Sequence, residues 1–199
     1  MKKYIILILL VIVCGLGFSY YHKQKQDLGE RLVQSAYYAD LLDVKDLLEQ
    51  GAPLDYVLAF NDPERDYVQQ AFTVLHAAAS GGNTKIITYL LKQGLDVNVR
   101  TPQGWTPLFV AARDGQTEAA KLLIFKEADL NAQTHTGATA LTMVVTQPFP
   151  SEKERLDLLE YMLKRGADPK LADQYGHTPL YYAKVKGYTS QVQLLEKYL

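Results

Sequence analysis

Residues 73–98, TVLHAAASGGNTKIITYLLKQGLDVN, and residues 106–131, TPLFVAARDGQTEAAKLLIFKEADLN, share one frame. Thr73 and Thr106 stand 33 residues apart, and Thr139, which opens TALTMVV, stands 33 further on. Thr178 opens a last copy, TPLYYAKVKGYTSQVQLLEKYL, after 39 residues, one period plus six. Upstream, LVQSAYYADLLDVKDLLEQGAPLD fits the same frame from Leu32 without the threonine. Self-similarity at such a period marks an array of stacked supersecondary units rather than a single irregular core.

Each unit reads as a pair of short helices. Thr106 is placed as an N-cap, and Pro107 follows at the first helical position, where a missing N–H costs nothing. Leu108, Ala111 and Ala112 give a helix of small apolar residues that lets a neighbouring unit approach closely. Gly115, with Gly82 and Gly187 as counterparts, ends it where a left-handed residue is needed. A second helix follows around Leu122–Leu123, with Leu90–Leu91, Met162–Leu163 and Leu194–Leu195 as equivalents. Asp96 with Asn98, and Asp129 with Asn131, suit the hairpin turn that leads onward. One unit cannot bury its own apolar face, so about five must stack.

The Thr-Pro-Leu-His motif, together with the Gly-Ala-Asp-x-Asn ending, resembles the ankyrin repeat over residues 27–199. The resemblance implies an all-α solenoid of helix-turn-helix repeats with hairpin fingers, in a domain over 31–199. The repeats fall near 31–55, 73–98, 106–131, 139–170 and 178–199. His76 and His177 read as structural, bonding backbone across the turn. Departures from the frame carry information. The first repeat is degenerate, and Glu127 replaces the usual glycine of the third. Ten extra residues within YVLAFNDPERDYVQQAF lengthen the first finger. Six more, around TQPFPSEKE, separate the helices of the fourth repeat, where Ser151 and Glu154 form an expected capping box.

The N-terminus opens with Lys2 and Lys3 and then carries no charge from Tyr4 to Tyr21. Residues 1–21 are therefore expected to be a signal peptide or a hydrophobic anchor helix, with 22–30 as a linker. Gly17 and Ser19 suit cleavage after Ser19, whereas 18 uncharged residues just suffice to cross a bilayer. A lipoprotein signal would need a small residue before Cys14, and Val13 stands there. A short basic start favours a C-terminal bulk outside the cytoplasm, in the periplasm or facing it. Cys14 is the single cysteine, so no internal disulfide forms and stability must come from packing.

Composition excludes several classes. Net charge is −1, with no basic stripe interleaved with aromatics, which argues against nucleic acid as a partner. No phosphate loop, His-Glu-x-x-His, Gly-x-Ser-x-Gly or Cys-x-x-Cys is present, so neither catalysis nor a cofactor or metal is expected. Asp62, Glu64 and Asp66 alternate like the start of a calcium loop. Tyr67 nevertheless stands where the turning glycine is required, and Thr73 where a bidentate glutamate should be.

Candidate partner-binding residues follow from the family pattern. The slot before the Thr-Pro faces the concave groove in that pattern, and here it holds Phe72, Trp105, Ala138 and His177. The two positions before the mid-repeat glycine also face it, with Tyr37 and Tyr38 in the first repeat and Arg113 and Asp114 in the third. Gln103, His135 and Tyr175 lie at finger tips. Aromatics and arginine in such slots have the composition of a binding hot spot. A small residue would serve the fold at position 105, so the chain's single tryptophan reads as a binding residue. The expectation is a monomer that binds one specific protein. Short exported chains of this design resemble immunity proteins that neutralise type VI secreted phospholipase toxins. They also resemble periplasmic ankyrin proteins that support antioxidant (catalase) defence, and a scaffold for a membrane complex is a third class.

Overall fold

The computed structural model describes residues 21–60 and 70–199. Helix α1 covers residues 21–37, and α2 runs Leu41–Glu49. Strands β1 (Val57–Phe60) and β2 (Gln70–Thr73) form an antiparallel hairpin, pairing Val57 with Thr73 and Leu58 with Phe72. Then come α3 (Val74–Ser80), α4 (Thr84–Lys92), α5 (Pro107–Arg113), α6 (Thr117–Phe125) and α7 (Ala140–Thr146). The chain ends with α8 (Glu152–Lys164), α9 (Pro179–Val185) and α10 (Thr189–Glu196).

The helices lie in two layers. On the inner side α3 packs on α5, α5 on α7 and α7 on α9, while α2, α4, α6, α8 and α10 follow one another outside. Small residues permit this: Ala78, Ala79, Ala111 and Ala112 are wholly buried between inner helices. Leu47, Leu90, Leu123, Met162 and Leu195, one from each outer helix, are also wholly buried. Each contributes about 1.5–3 kcal/mol by leaving water.

Local chemistry sets the helix ends. The hydroxyls of Thr106, Thr139 and Thr178 accept from the N–H groups of Phe109, Thr142 and Tyr181, each at 3.2 Å. Gly82, Gly115 and Gly187 take φ near 70° after the inner helices, and Ala39 and Glu127 are forced into the same left-handed region at 69° and 64°. Ser151 caps α8 by accepting from Glu154 N–H at 3.2 Å. The reciprocal half of the expected capping box is not made there; the complete box is that of Thr139 with Thr142.

The fingers are tied by a ladder at the same period as the sequence. Asp96 and Asp129 accept from the N–H groups of Asn98 and Asn131 within their own turns. Asn98 Oδ1 then takes the N–H of Asp129, and Asn131 Oδ1 that of Asp168, both at 2.8 Å. Arg100 donates to the carbonyls of Gly104 and Gln133, and Gln133 to those of Gly137 and Ala172. The approach is close enough that a Cβ on Gly137 would stand 2.9 Å from Asp173 Cα.

One expectation changes at the N-terminus. Residues 22–30 are not a linker: they are helical, and Leu28 and Gly29 are buried within α1. Among the described residues no helix is long and apolar enough to cross a membrane. The expected signal or anchor, with Cys14, lies outside the described residues, as do Asp62, Glu64, Asp66 and Tyr67. The hairpin β1–β2 adds a small strand component to the expected all-α architecture, because the extra residues of the first finger extend its legs.

Candidate protein-binding groove

A cleft of about 830 Å³ runs along the inner helices. The C-terminal end of α1 supplies Gln34, Tyr37 and Tyr38, and β2 supplies Phe72. Ser80 follows from α3, then Arg113 and Asp114 from the end of α5, and Gln147 and Pro148 from the extra loop of the fourth repeat. The wall is built from the last residues of α3 and α5 and the first residues after α7. Tyr37 and Tyr38 are 48% and 77% exposed, and their rings meet edge to face at 5.1 Å.

Below them lies a packed polar-aromatic platform. The Arg113 guanidinium sits 4.9 Å from the centre of the Trp105 ring and 5.6 Å from that of Phe72. Its Nε and Nη2 donate to the two carboxylate oxygens of Asp114, each at 2.7 Å. Ser80 Oγ donates to Asp114 Oδ2 at 2.5 Å. Stacking and a bidentate ion pair together fix the guanidinium's orientation, where an unpaired surface arginine would sample many rotamers.

His76 underlies this platform and is wholly buried. Its Nε2 donates to the Trp105 carbonyl at 3.0 Å, so Nδ1 must accept from the Thr73 hydroxyl at 2.9 Å. Burial pushes His76 down to about 4, and the nearby Arg113 charge adds to the shift. The imidazole is neutral and structural. Thr73 consequently spends its hydroxyl on the ring and, unlike the other three threonines, makes no helix cap.

The expected binding residues divide into two groups. Tyr37, Tyr38, Phe72, Arg113 and Asp114 share the cleft, with Trp105 packed beneath. Phe72 is not solvent-facing: it is 5% exposed, stacked on His76 at 5.8 Å and set against Trp105 at 6.3 Å. Trp105 is half-buried and lies 5.4 Å from Phe109, so its indole supports the platform behind Phe72 and Arg113, which line the groove. The rings meet because β2 brings Phe72 alongside the base of the next finger.

The second group lies apart, on the fingers. Gln103 and His135 are joined there through the His135 N–H and the Gln103 carbonyl at 3.1 Å. Tyr175, 71% exposed, and His177 belong to the last finger. His177 stacks on Tyr181 at 4.0 Å and receives the edge of Tyr182 at 5.6 Å. Tyr182 donates to Asp173 at 2.5 Å, and this bond pushes its hydroxyl up to about 12. Burial alone would raise Asp173, but the bonds from Tyr182 and from the His177 and Tyr175 N–H groups outweigh it and hold the carboxyl down. The arrangement latches the finger shut. Tyr181 and Tyr182 escaped the family pattern because they sit inside α9, where the frame calls only for core. Among the described residues no group of three or more His, Cys, Asp or Glu is placed to hold a metal ion.

A family model of ankyrin repeats, in three copies, matches residues 32–134, just over half of the chain. The chain belongs to the ankyrin-repeat family. The match runs from the C-terminal part of α1 through α6 and therefore covers most of the groove's lining; α7 to α10 continue the same two-layer stack beyond it. No curated protein matches the chain. Ankyrin repeats are protein-interaction modules, and this one presents its aromatic groove on the inner helices.

Proposed function

We propose that the groove seats a single protein partner and that the protein works outside the cytoplasm. In this reading it is an immunity protein that binds and neutralises a secreted toxin such as a type VI phospholipase. The observation that carries the binding reading is the exposed Tyr37–Tyr38 pair beside a pre-organised Arg113. Rigid aromatics with few rotors lose little entropy on binding, and hot spots concentrate in such residues. Export is supported by the basic start and the uncharged stretch from Tyr4 to Tyr21. A toxin delivered to the envelope has to be met there by its binder.

The test pairs capture with protection. The full-length chain, expressed with its own N-terminus, should retain one stable partner from envelope extracts, and Tyr38→Ala should lose it while melting normally. Cells challenged with an envelope-directed phospholipase should survive with the wild-type chain and not with Tyr38→Ala. Capture of a catalase-linked protein, or survival independent of Tyr38, would overturn the immunity reading.

A further inference from the structure

We infer that the occupant of the groove is an extended, uncharged segment rich in proline and aliphatic residues, held in the polyproline II conformation. This rests on the reading of the groove as a protein-binding site and names the chemistry of what enters it. Charge comes first. Arg113 and Asp114 are the charged side chains lining the cleft among the described residues, and they neutralise one another through two 2.7 Å bonds. Ser80 takes up a further position on the carboxylate. An incoming carboxylate or ammonium would have to break this pair or sit beside it uncompensated, losing its hydration for no partner. A neutral segment loses nothing there.

Backbone chemistry decides the shape. The groove is walled largely by helix ends, whose backbone offers no ladder for an added strand; β2, four residues long and already paired with β1, brings Phe72 alone to the wall, so β-augmentation would gain a short ladder at most. A docked helix would keep its own carbonyls internally bonded and leave the groove's donors idle. Those donors are the Tyr37 and Tyr38 hydroxyls and the Gln34 and Gln147 amides. A polyproline II segment leaves every carbonyl open to such donors and arrives already ordered. The edge-to-face tyrosines, 5.1 Å apart, present two ring walls at 86° to one another. Pyrrolidine rings and aliphatic side chains pack against such walls by apolar contact alone.

Trp105 makes the inference measurable, since the chain's single tryptophan lies against Phe72 and Arg113, both part of the lining. The full-length chain is titrated with three blocked peptides while Trp105 emission is followed. One consists of proline and leucine alone, one is acidic and rich in aspartate and glycine, and one is an alanine-based amphipathic helix. The proline–leucine peptide should give a saturable change. Its affinity should change less than about twofold between roughly 0.05 and 0.5 M salt, a range over which screening shortens severalfold. Tyr38→Ala should weaken it at least about tenfold with an unchanged melt. Saturation by the acidic or the helical peptide instead, with Tyr38 still required, would overturn this assignment and leave the groove a binding site. If none of the three binds while Tyr38→Ala still abolishes partner capture, the assignment fails and the binding reading stands.

Discussion

His76 is the residue on which the groove's floor depends, and its chemistry sets a pH window. Its folded-state value of about 4 lies below the ordinary 6.5, so the unfolded chain takes up a proton first as pH falls. Stability from this site is complete above about pH 6.5 and is lost progressively toward pH 4. The total loss is about 3 kcal/mol. Urea denaturation at pH 7 and pH 4.5 should show most of this difference, about 2 kcal/mol, in the wild type and a much smaller one in His76→Gln. Trp105 makes a second residue-scale case. The family pattern assigned it to a variable, groove-facing slot, where truncation would leave the fold untouched. Its contacts with Phe72, Phe109 and Arg113 change that expectation. Trp105→Ala should lower stability by about 1–3 kcal/mol, read from helical circular dichroism, as well as weakening binding. The pattern marks Phe72 and Trp105 as equivalent slots of adjacent repeats, but only the structure shows that the two large rings pack on one another and on Phe109.

At the scale of the elements, the sequence was most legible where one chemical requirement repeats. Thr, Pro, Gly and Asp-x-Asn recur because caps, first turns, left-handed exits and finger turns each demand particular side chains, and those features stand in the structure at their expected places, Thr73 excepted, whose hydroxyl goes to His76. Two stretches were not legible. Residues 22–30 carry charge and few apolar residues, which reads as a linker, yet Leu28 and Leu32 give α1 a buried face. The extra loop at Gln147–Pro148 carries no motif, and its place in the groove wall depends on where α7 stops. Cations hold that stop: Arg155 donates to the Gln147 carbonyl at 3.1 Å and Lys186 to that of Thr146 at 2.8 Å. The same comparison between elements exposes a flaw in α10. Gln191 occupies the slot held by Ile86, Ala119 and Leu158 in other outer helices and is wholly buried, with neither end of its amide hydrogen-bonded. Replacing it with an apolar group removes that desolvation cost. Gln191→Leu should stabilise the protein by about 1–3 kcal/mol, visible as a higher midpoint in urea.

Among the described residues the array is quasi-linear: each helix pair packs on its neighbours, and no closely packed pair of helices skips a repeat. Damage should therefore propagate according to position. Leu108 and Leu195 are both wholly buried leucines, so truncation to alanine costs each site about 2–5 kcal/mol. Leu108 lies in α5, flanked by α3 and α7, in the core beneath the helix end that carries Arg113. Leu195 lies in α10, at the end of the described stack, with α8 and α9 as its packing partners. Two probes separate the consequences, because Trp105 emission reports the groove while helical circular dichroism reports the whole array. In Leu108→Ala both signals should fall together, at a temperature well below that of the wild type. In Leu195→Ala the helical signal should begin to fall first, as α9 and α10 fray, while Trp105 emission and proline–leucine peptide binding persist to near the wild-type midpoint. Coincident melting of both probes in Leu195→Ala would mean that the array unfolds as one cooperative unit, and that the last repeat helps to hold the groove in shape.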